Sequence, residues 1–317
     1  MNNSSEITRG FITIATGKPH YYEIARNLLR SYRLFSPEPL PFAIVCDQQN
    51  AITSEFDDVI VIENPCYSFL DKLRLPDLVP YDETIFIDAD CLAYRDLNGL
   101  WKAFEGAGDF SSVGYSYPFG TSDGWFQRDD AGPFKDKVKF TMILQGGLYF
   151  FRKGKLKTFS SACGYILDNY DMFRFPTYPS TNPIDEPIFA LASSILGYPP
   201  AISYKHLFCY YPLCDSIKAD ISRGRLSYRY PYKMRDTLGR YFLHWSTVET
   251  RGEMYAEEVR KLEAMVESGF KPPRRWEYRN RLTDYVRVIE TVVFRFMYYH
   301  IPKGLRERLR ALFKYFR

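Results

Sequence analysis

Short apolar runs alternating with helical patterns restrict this chain more than any other feature. "FITIAT" (11–16) reads as a buried strand, and "YYEIARNLLRSY" (21–32) follows with Ile24, Ala25, Leu28 and Leu29 on one helical face. "FAIVCD" (42–47), "DVIVIEN" (58–64) and "TIFIDAD" (84–90) read as further strands. "SFLDKLRL" (68–75) reads as a helix that Pro76 stops. Such alternation predicts a parallel sheet covered on both faces. Ligands of such sheets bind at the carboxyl ends of the strands. Thr16-Gly17, Asp47, Asp88 and Asp90 fall at those ends.

Beyond residue 100 the pattern loosens. Residues 117–137 are rich in Gly, Asp and Pro and read as a long mobile loop of the functional kind. "GGLYFF" (146–151) is strand-like, and 156–170 and 185–196 are helical, the latter with Pro187 in its first turn. Residues 200–244 mix short strands and turns. In 304–317, Leu305, Leu309, Leu312, Phe313 and Phe316 share one face, and basic residues crowd the rest. That is a basic amphipathic helix.

Composition places the charge. The chain has 317 residues and a net charge of +4, yet residues 271–317 alone hold 13 basic and 4 acidic side chains. The body is therefore mildly acidic and the tail strongly basic. Such a block meets an anionic partner, here a membrane surface and not nucleic acid. The expected organisation is a catalytic domain over 1–270 and a basic helical extension over 271–317. The six cysteines form no CxxC pair, Cys46 and Cys91 read as small core residues, and the expected compartment is reducing. The N-terminus carries no signal-peptide pattern and no stretch is apolar enough to span a bilayer, so a cytoplasmic protein peripheral to the inner membrane face is expected.

Asp88-Ala89-Asp90 sits where a buried strand ends. Two carboxylates at that spacing reach one divalent cation, and hard oxygen ligands suit Mg²⁺ or Mn²⁺. Those ions commonly hold phosphates, because they neutralise adjacent phosphoryl oxygens.

The segment "YDETIFIDADCLAYRDLNGLW" (81–101) resembles the DXD block of the GT-A glycosyltransferases. The retaining family 8, which includes glycogenin and bacterial lipooligosaccharide galactosyltransferases, is the most similar. Lys72, the strand Ile85–Ile87, the two aspartates, and Asp96-Leu97 running to Trp101 follow that family's order. "FITIATGKPHYYEIARNLLRSYR" (11–33) is similar to its first strand and helix, "LQGGLYFFRKG" (144–154) to its N-x-G strand, and "NPIDEPIFALA" (182–192) to its D-Q helix start. The resemblance covers about residues 10–250.

It implies an α/β GT-A (Rossmann-like) domain with a mixed central sheet and metal-dependent transfer of a hexose from a UDP-sugar. The cofactor would be Mn²⁺ or Mg²⁺, and the acceptor a cell-surface glycan or lipid-linked sugar. Ala15, Thr16 and Tyr21 would surround the nucleoside, with Tyr22 competing for the stacking role. Lys72 would approach the donor sugar or phosphates. Asp88 would contact the donor and the metal, Asp90 the metal directly, and His244 would be the third ligand. Asp185 would hold sugar hydroxyls.

Two departures follow. "HWSTVETRG" (244–252) lacks the family's pyrophosphate lysine, so Arg251 or the hydroxyls of Ser246 and Thr247 stand in. Glu186 replaces the family's glutamine, and Gln145 replaces its asparagine. A carboxylate at 186 is a better nucleophile or base than an amide. The expected outcome is retention, with inversion through Asp185 or Glu186 as the alternative. A non-catalytic glycan-binding protein at the membrane surface is the reading from another class. A sugar-phosphate nucleotidyltransferase is disfavoured, because "ATGKPHYY" (15–22) has one glycine where a Gly-rich loop is required.

Overall fold

The computed structural model describes residues 7–121, 124–175, 183–201, 208–214, 216–229, 237–238 and 241–269. The apolar runs form β1 (Arg9–Ala15), β2 (Phe42–Cys46), β3 (Asp58–Val61) and β4 (Glu83–Ile87). Pairing is parallel among these four, in the order β3-β2-β1-β4. Two more strands complete a six-stranded sheet: β6 (Phe110–Tyr117) lies at the edge and β7 (Thr141–Arg152) lies between β4 and β6, antiparallel to both. The protein is thus α/β with a mixed sheet, of a kind compatible with a Rossmann-like domain. The parallel expectation, drawn from the first hundred residues, holds for these four strands, and β6 with β7 makes the sheet mixed. β7 enters from the edge where the parallel strands end, so its Gly146-Gly147 segment meets the tip of β4.

Alternation in the strands sends successive side chains to opposite faces. Phe11 and Phe42 pack against Tyr32 of α1 (Pro19–Phe35), and Phe11 also meets Trp101, with ring centroids 5.0–5.7 Å apart. Ile12, Ala43, Val45 and Phe86 point the other way. They join a core with α3 (Lys157–Asp168) and α4 (Asp185–Leu196). Within it Phe110 stacks on Phe159 at 4.1 Å, and Tyr149 meets Phe189 edge-on at 4.9 Å. Both faces are therefore covered, and β2 is buried throughout.

Two small sheets flank this one. β5 (Cys91–Ala93), β12 (Phe242–His244) and β8 (Phe208–Tyr210) form the first, with β12 central. β9 (Ser216–Asp220), β10 (Arg225–Arg229) and β11 (Thr237–Leu238) form the second.

Two local expectations change. Residues 69–74 form a 3₁₀ turn capped by Ser68, and Pro76 lies in the first turn of α2 (Leu75–Leu78), where it was expected to stop a helix. Proline is tolerated there because first-turn N–H groups have no helical acceptor. The expected mobile loop over 117–137 is anchored: Trp125 and Phe126 are buried in the core, and Gln127 with Asp130 caps the 3₁₀ turn Arg128–Phe134.

The chain divides into two compact units, Met1–Thr247 and Val248–Arg317. In the second, a 3₁₀ turn (Glu249–Arg251) precedes α5 (Glu253–Glu267), which carries the ion pairs Lys261–Glu258 at 2.7 Å and Arg260–Glu253 at 2.8 Å. The expected extension 271–317, with its amphipathic segment, lies outside the described residues. Among the described residues no helix is long and apolar enough to cross a membrane.

Candidate functional site

Asp88-Ala89-Asp90 is the crossing between two sheets, since β4 ends at Ile87 and β5 begins at Cys91. Its backbone is held at three points. The Asp88 N–H donates to the Gly147 carbonyl at 3.1 Å, extending the β4–β7 ladder. The Trp245 N–H donates to the Asp90 carbonyl at 3.0 Å, extending the β12–β5 ladder, and the Cys91 N–H closes onto the Asp88 carbonyl at 3.2 Å. Hydrogen bonds of two sheets thus fix where both carboxylates start.

The side chains diverge from there. Asp88 Oδ2 accepts from Lys72 Nζ at 2.7 Å. Lys72 is itself buried above the Phe86 ring, donates to the Gly146 carbonyl at 3.3 Å, and stands 4.0 Å from Asp185. Burial works against its charge, yet Asp88 and Asp185 raise its pKa above the ordinary value. Asp90 turns to the other side: Thr247 Oγ1 donates to its Oδ2 at 3.2 Å, and His244 Nε2 lies 3.0 Å from its Oδ1. No hydrogen bond in line reaches that buried Oδ1. His244 Nε2 is also 3.8 Å from Asp88 Oδ2. Burial pushes the Asp90 pKa up, but the imidazole, Lys72 and Thr247 outweigh it and hold it low. Burial lowers the His244 pKa, and Asp90 with Asp88 more than restores it. Asp88, with burial and Asp90 against it, stays raised despite Lys72.

Asp185 and Glu186 open α4. Tyr149 carries its ring in the aromatic core and its hydroxyl donates to Asp185 Oδ2 at 2.9 Å, so core packing positions this carboxylate. Burial keeps the Asp185 pKa raised although Lys72 and Tyr149 oppose it. Glu186 Oε1 accepts from the Gly146 N–H at 2.7 Å. Burial, with Asp185 adding to it, pushes the Glu186 carboxyl up to about 8. A carboxyl raised in this way binds its proton more tightly than an exposed one, and the protonated form offers one donor and one acceptor, as an amide does.

Two glycines make this approach possible. A Cβ on Gly147 would stand 2.6 Å from His244 Nδ1, and one on Gly146 would stand 2.8 Å from Glu186 Oε1.

The second group lies at the tips of β1 and β2. Ala15 is buried, and Thr16 Oγ1 donates to Asp71 Oδ2 at 3.2 Å. Asp47 accepts from the Gly17 N–H at 3.0 Å and from the Tyr22 hydroxyl. Tyr22 is 2 % exposed, so its ring is core, while the neighbouring Tyr21 ring is half-buried. Of the two tyrosines, Tyr21 has the surface that a stacking partner needs.

Lys72, Asp88, Asp90, His244, Asp185 and Glu186 are thus brought together, and Ala15, Thr16 and Tyr21 lie on the same sheet edge. Gln145 is half-buried in β7, one residue before Gly146. Arg251 belongs to the second unit, in the turn Glu249–Arg251. The Thr247 hydroxyl is engaged by Asp90, and the buried Ser246 Oγ has no hydrogen-bond partner. Asp71, Tyr149 and Cys91 were not expected in this neighbourhood. Asp71 is 1 % exposed and accepts from the Cys66 N–H at 2.7 Å. In sequence it is only half of an Asp-Lys pair, with nothing to separate it from a solvated charge. No family model matches the chain, and no curated protein matches it.

Proposed function

We propose that this protein is a GT-A-type glycosyltransferase that moves a hexose from a UDP-sugar to a glycan or lipid-linked acceptor with the help of a divalent cation. The observation that carries the reading is a convergence. Asp88 and Asp90 from the crossing between two sheets, His244 from the end of β12, and buried Lys72 meet at the carboxyl edge of a mixed α/β sheet. The resemblance to the retaining family 8 supports it from the sequence side.

The donor set fits a cation: a buried Asp90 oxygen lacks a hydrogen bond, and an imidazole nitrogen stands beside it. Asp90 and His244, with Asp88 alongside, would hold the ion, which would supply charge neutralisation to the departing diphosphate. The chain's own groups do the rest. Lys72 adds a fixed positive charge beside the same point, held by Asp88 and the Gly146 carbonyl. Asp185, oriented by Tyr149, offers its remaining oxygen to sugar hydroxyls. Glu186 accepts from the Gly146 N–H, and burial with Asp185 raises its carboxyl pKa, which weakens it as a nucleophile. That favours front-face attack with retention, in which the departing phosphate oxygen takes the acceptor proton and no protein base is needed. The basic segment 303–317 would bring the domain to an anionic membrane that carries the acceptor.

A thermal-shift panel of nucleotide sugars, with Mn²⁺ or with EDTA, tests the reading. Stabilisation by a UDP-sugar is expected only with the cation and only with Asp90 present. Stabilisation that survives both EDTA and Asp90→Ala would sink the cation-dependent mechanism. Proton NMR of slow donor hydrolysis reads the anomer; an inverted product overturns retention.

A further inference from the structure

Cys91 opens β5 directly opposite His244 in the antiparallel β5–β12 pair. Residues opposite one another in such a pair send their side chains to the same face. The Cys91 sulfur, a His244 ring nitrogen and an Asp90 carboxylate oxygen accordingly lie within 4.8 Å of one another, a group of this kind among the described residues. All three are buried, with exposures of 0 % for Cys91, 5 % for His244 and 6 % for Asp90. Asp88 is drawn away from them, since its Oδ2 is committed to Lys72 at 2.7 Å. Asp90 Oδ1 is buried without a hydrogen bond although His244 Nε2 stands 3.0 Å from it. Two ligand atoms this close, with the Cys91 sulfur within 4.8 Å of both residues' ligand atoms, can turn to one shared cation.

We propose that Asp90, Cys91 and His244 form a mixed oxygen–nitrogen–sulfur cation site that selects a thiophilic divalent metal of the Zn²⁺ and Co²⁺ class over Mg²⁺. The inference deepens the cation site of the proposed function and rests on it, but names a ligand and a metal class that the Asp-x-Asp pattern does not. Zn²⁺ takes carboxylate, imidazole and thiolate together, and three protein ligands leave a fourth position for a substrate oxygen. Sulfur moves selection away from hard cations and up the series from Mn²⁺ through Co²⁺ to Zn²⁺. As the sulfur binds, its proton leaves to solvent. Two anionic ligands then balance the ion, and Lys72 remains the positive group beside it.

Co²⁺ is the probe, titrated into the full reduced chain and followed by absorption. The wild-type protein is expected to show a sulfur-to-cobalt charge-transfer band that saturates at one equivalent. Cys91→Ala and Cys91→Ser should both lose the band, and competition should show Zn²⁺ bound roughly 10–100-fold more weakly, at least the cost of losing an outer-shell partner. Mn²⁺ affinity should change less. Both variants are made because altering a fully buried strand position can unfold one of them, and thermal melts identify the folded one. If Co²⁺ binds in a His244-dependent manner with no sulfur band, and the folded Cys91 variant holds Zn²⁺ as the wild type does, the sulfur ligand is overturned and the Asp90–His244 clamp survives. If wild type binds Co²⁺, Zn²⁺ and Mn²⁺ no better than His244→Ala does, both readings fall.

Discussion

His244 Nε2 stands 3.0 Å from Asp90 Oδ1, although 154 residues separate the two in the sequence. A backbone hydrogen bond from Trp245 to Asp90 locks the same juncture. Local sequence cannot create this pair; the meeting of β5 and β12 does.

Replacing either partner should therefore abolish cation dependence without unfolding the domain. Asp90→Ala and His244→Ala are expected to lower transfer by about 10²–10³, the usual cost of removing one preorganised electrostatic group. Initial rates of UDP release with and without Mn²⁺ measure this. Rates within a factor of about two of wild type for both variants would remove these residues from the site.

Lys72 is the central positive charge of a buried acidic cluster. Lys72→Met should cost about 3–5 kcal/mol, because Asp88 and Asp185 lose the ion that compensates them. Urea unfolding monitored by Trp fluorescence reads the loss. A midpoint unchanged from wild type would mean that water, not Lys72, compensates the carboxylates.

Glu186 sets a pH signature. Its carboxyl is raised from 4.5 to about 8 on folding. Between those values the folded protein keeps a proton that the unfolded chain has released, so this group makes stability fall as pH rises through the window. The full effect is on the order of 5 kcal/mol and is complete above the folded value. Glu186→Gln should flatten the fall in urea midpoint measured from about pH 5 to about pH 9. Equal slopes in the two proteins would place the titration elsewhere.

Gly147 gives His244 its room. Gly147→Ala would set a methyl group 2.6 Å from His244 Nδ1. The imidazole must shift, and overpacking of this kind costs about 1–3 kcal/mol. Cation affinity should fall more than melting temperature does, and calorimetric titration of Mn²⁺ into wild type and variant makes the comparison.

The tail is tested by removal. Deleting residues 303–317 should abolish sedimentation with anionic liposomes and leave that with neutral liposomes unchanged. Salt should weaken the wild-type interaction, since each basic residue near such a surface contributes about 1 kcal/mol. Undiminished sedimentation of the shortened chain would defeat the membrane role.

Much of the frame was legible because its causes are local. The strand patterns at 11–16, 42–47 and 84–90 and the helical pattern at 21–32 are short-range, and they appear, with shifted ends, as β1, β2, β4 and α1. Asp88 and Asp90 declared themselves because two carboxylates after a buried strand are costly without a positive partner. α4 began at Asp185 as its Asp-Glu-Pro start implied. What needed the tertiary structure depends on partners distant in sequence. That Lys72 takes Asp88 while Asp90 turns to His244 follows from two sheets meeting at a three-residue crossing. Of Tyr21 and Tyr22, it is Tyr22 that is buried, with its hydroxyl reaching Asp47 just past the end of β2. The raised pKa of Glu186 and the nearness of Cys91 to His244 are likewise properties of burial and cross-strand register. The sequence by itself determined the alternating layers and the acidic strand tip, through periodicity and desolvation. Tertiary structure alone decided which charges face one another there, because strand pairing across long loops sets those distances.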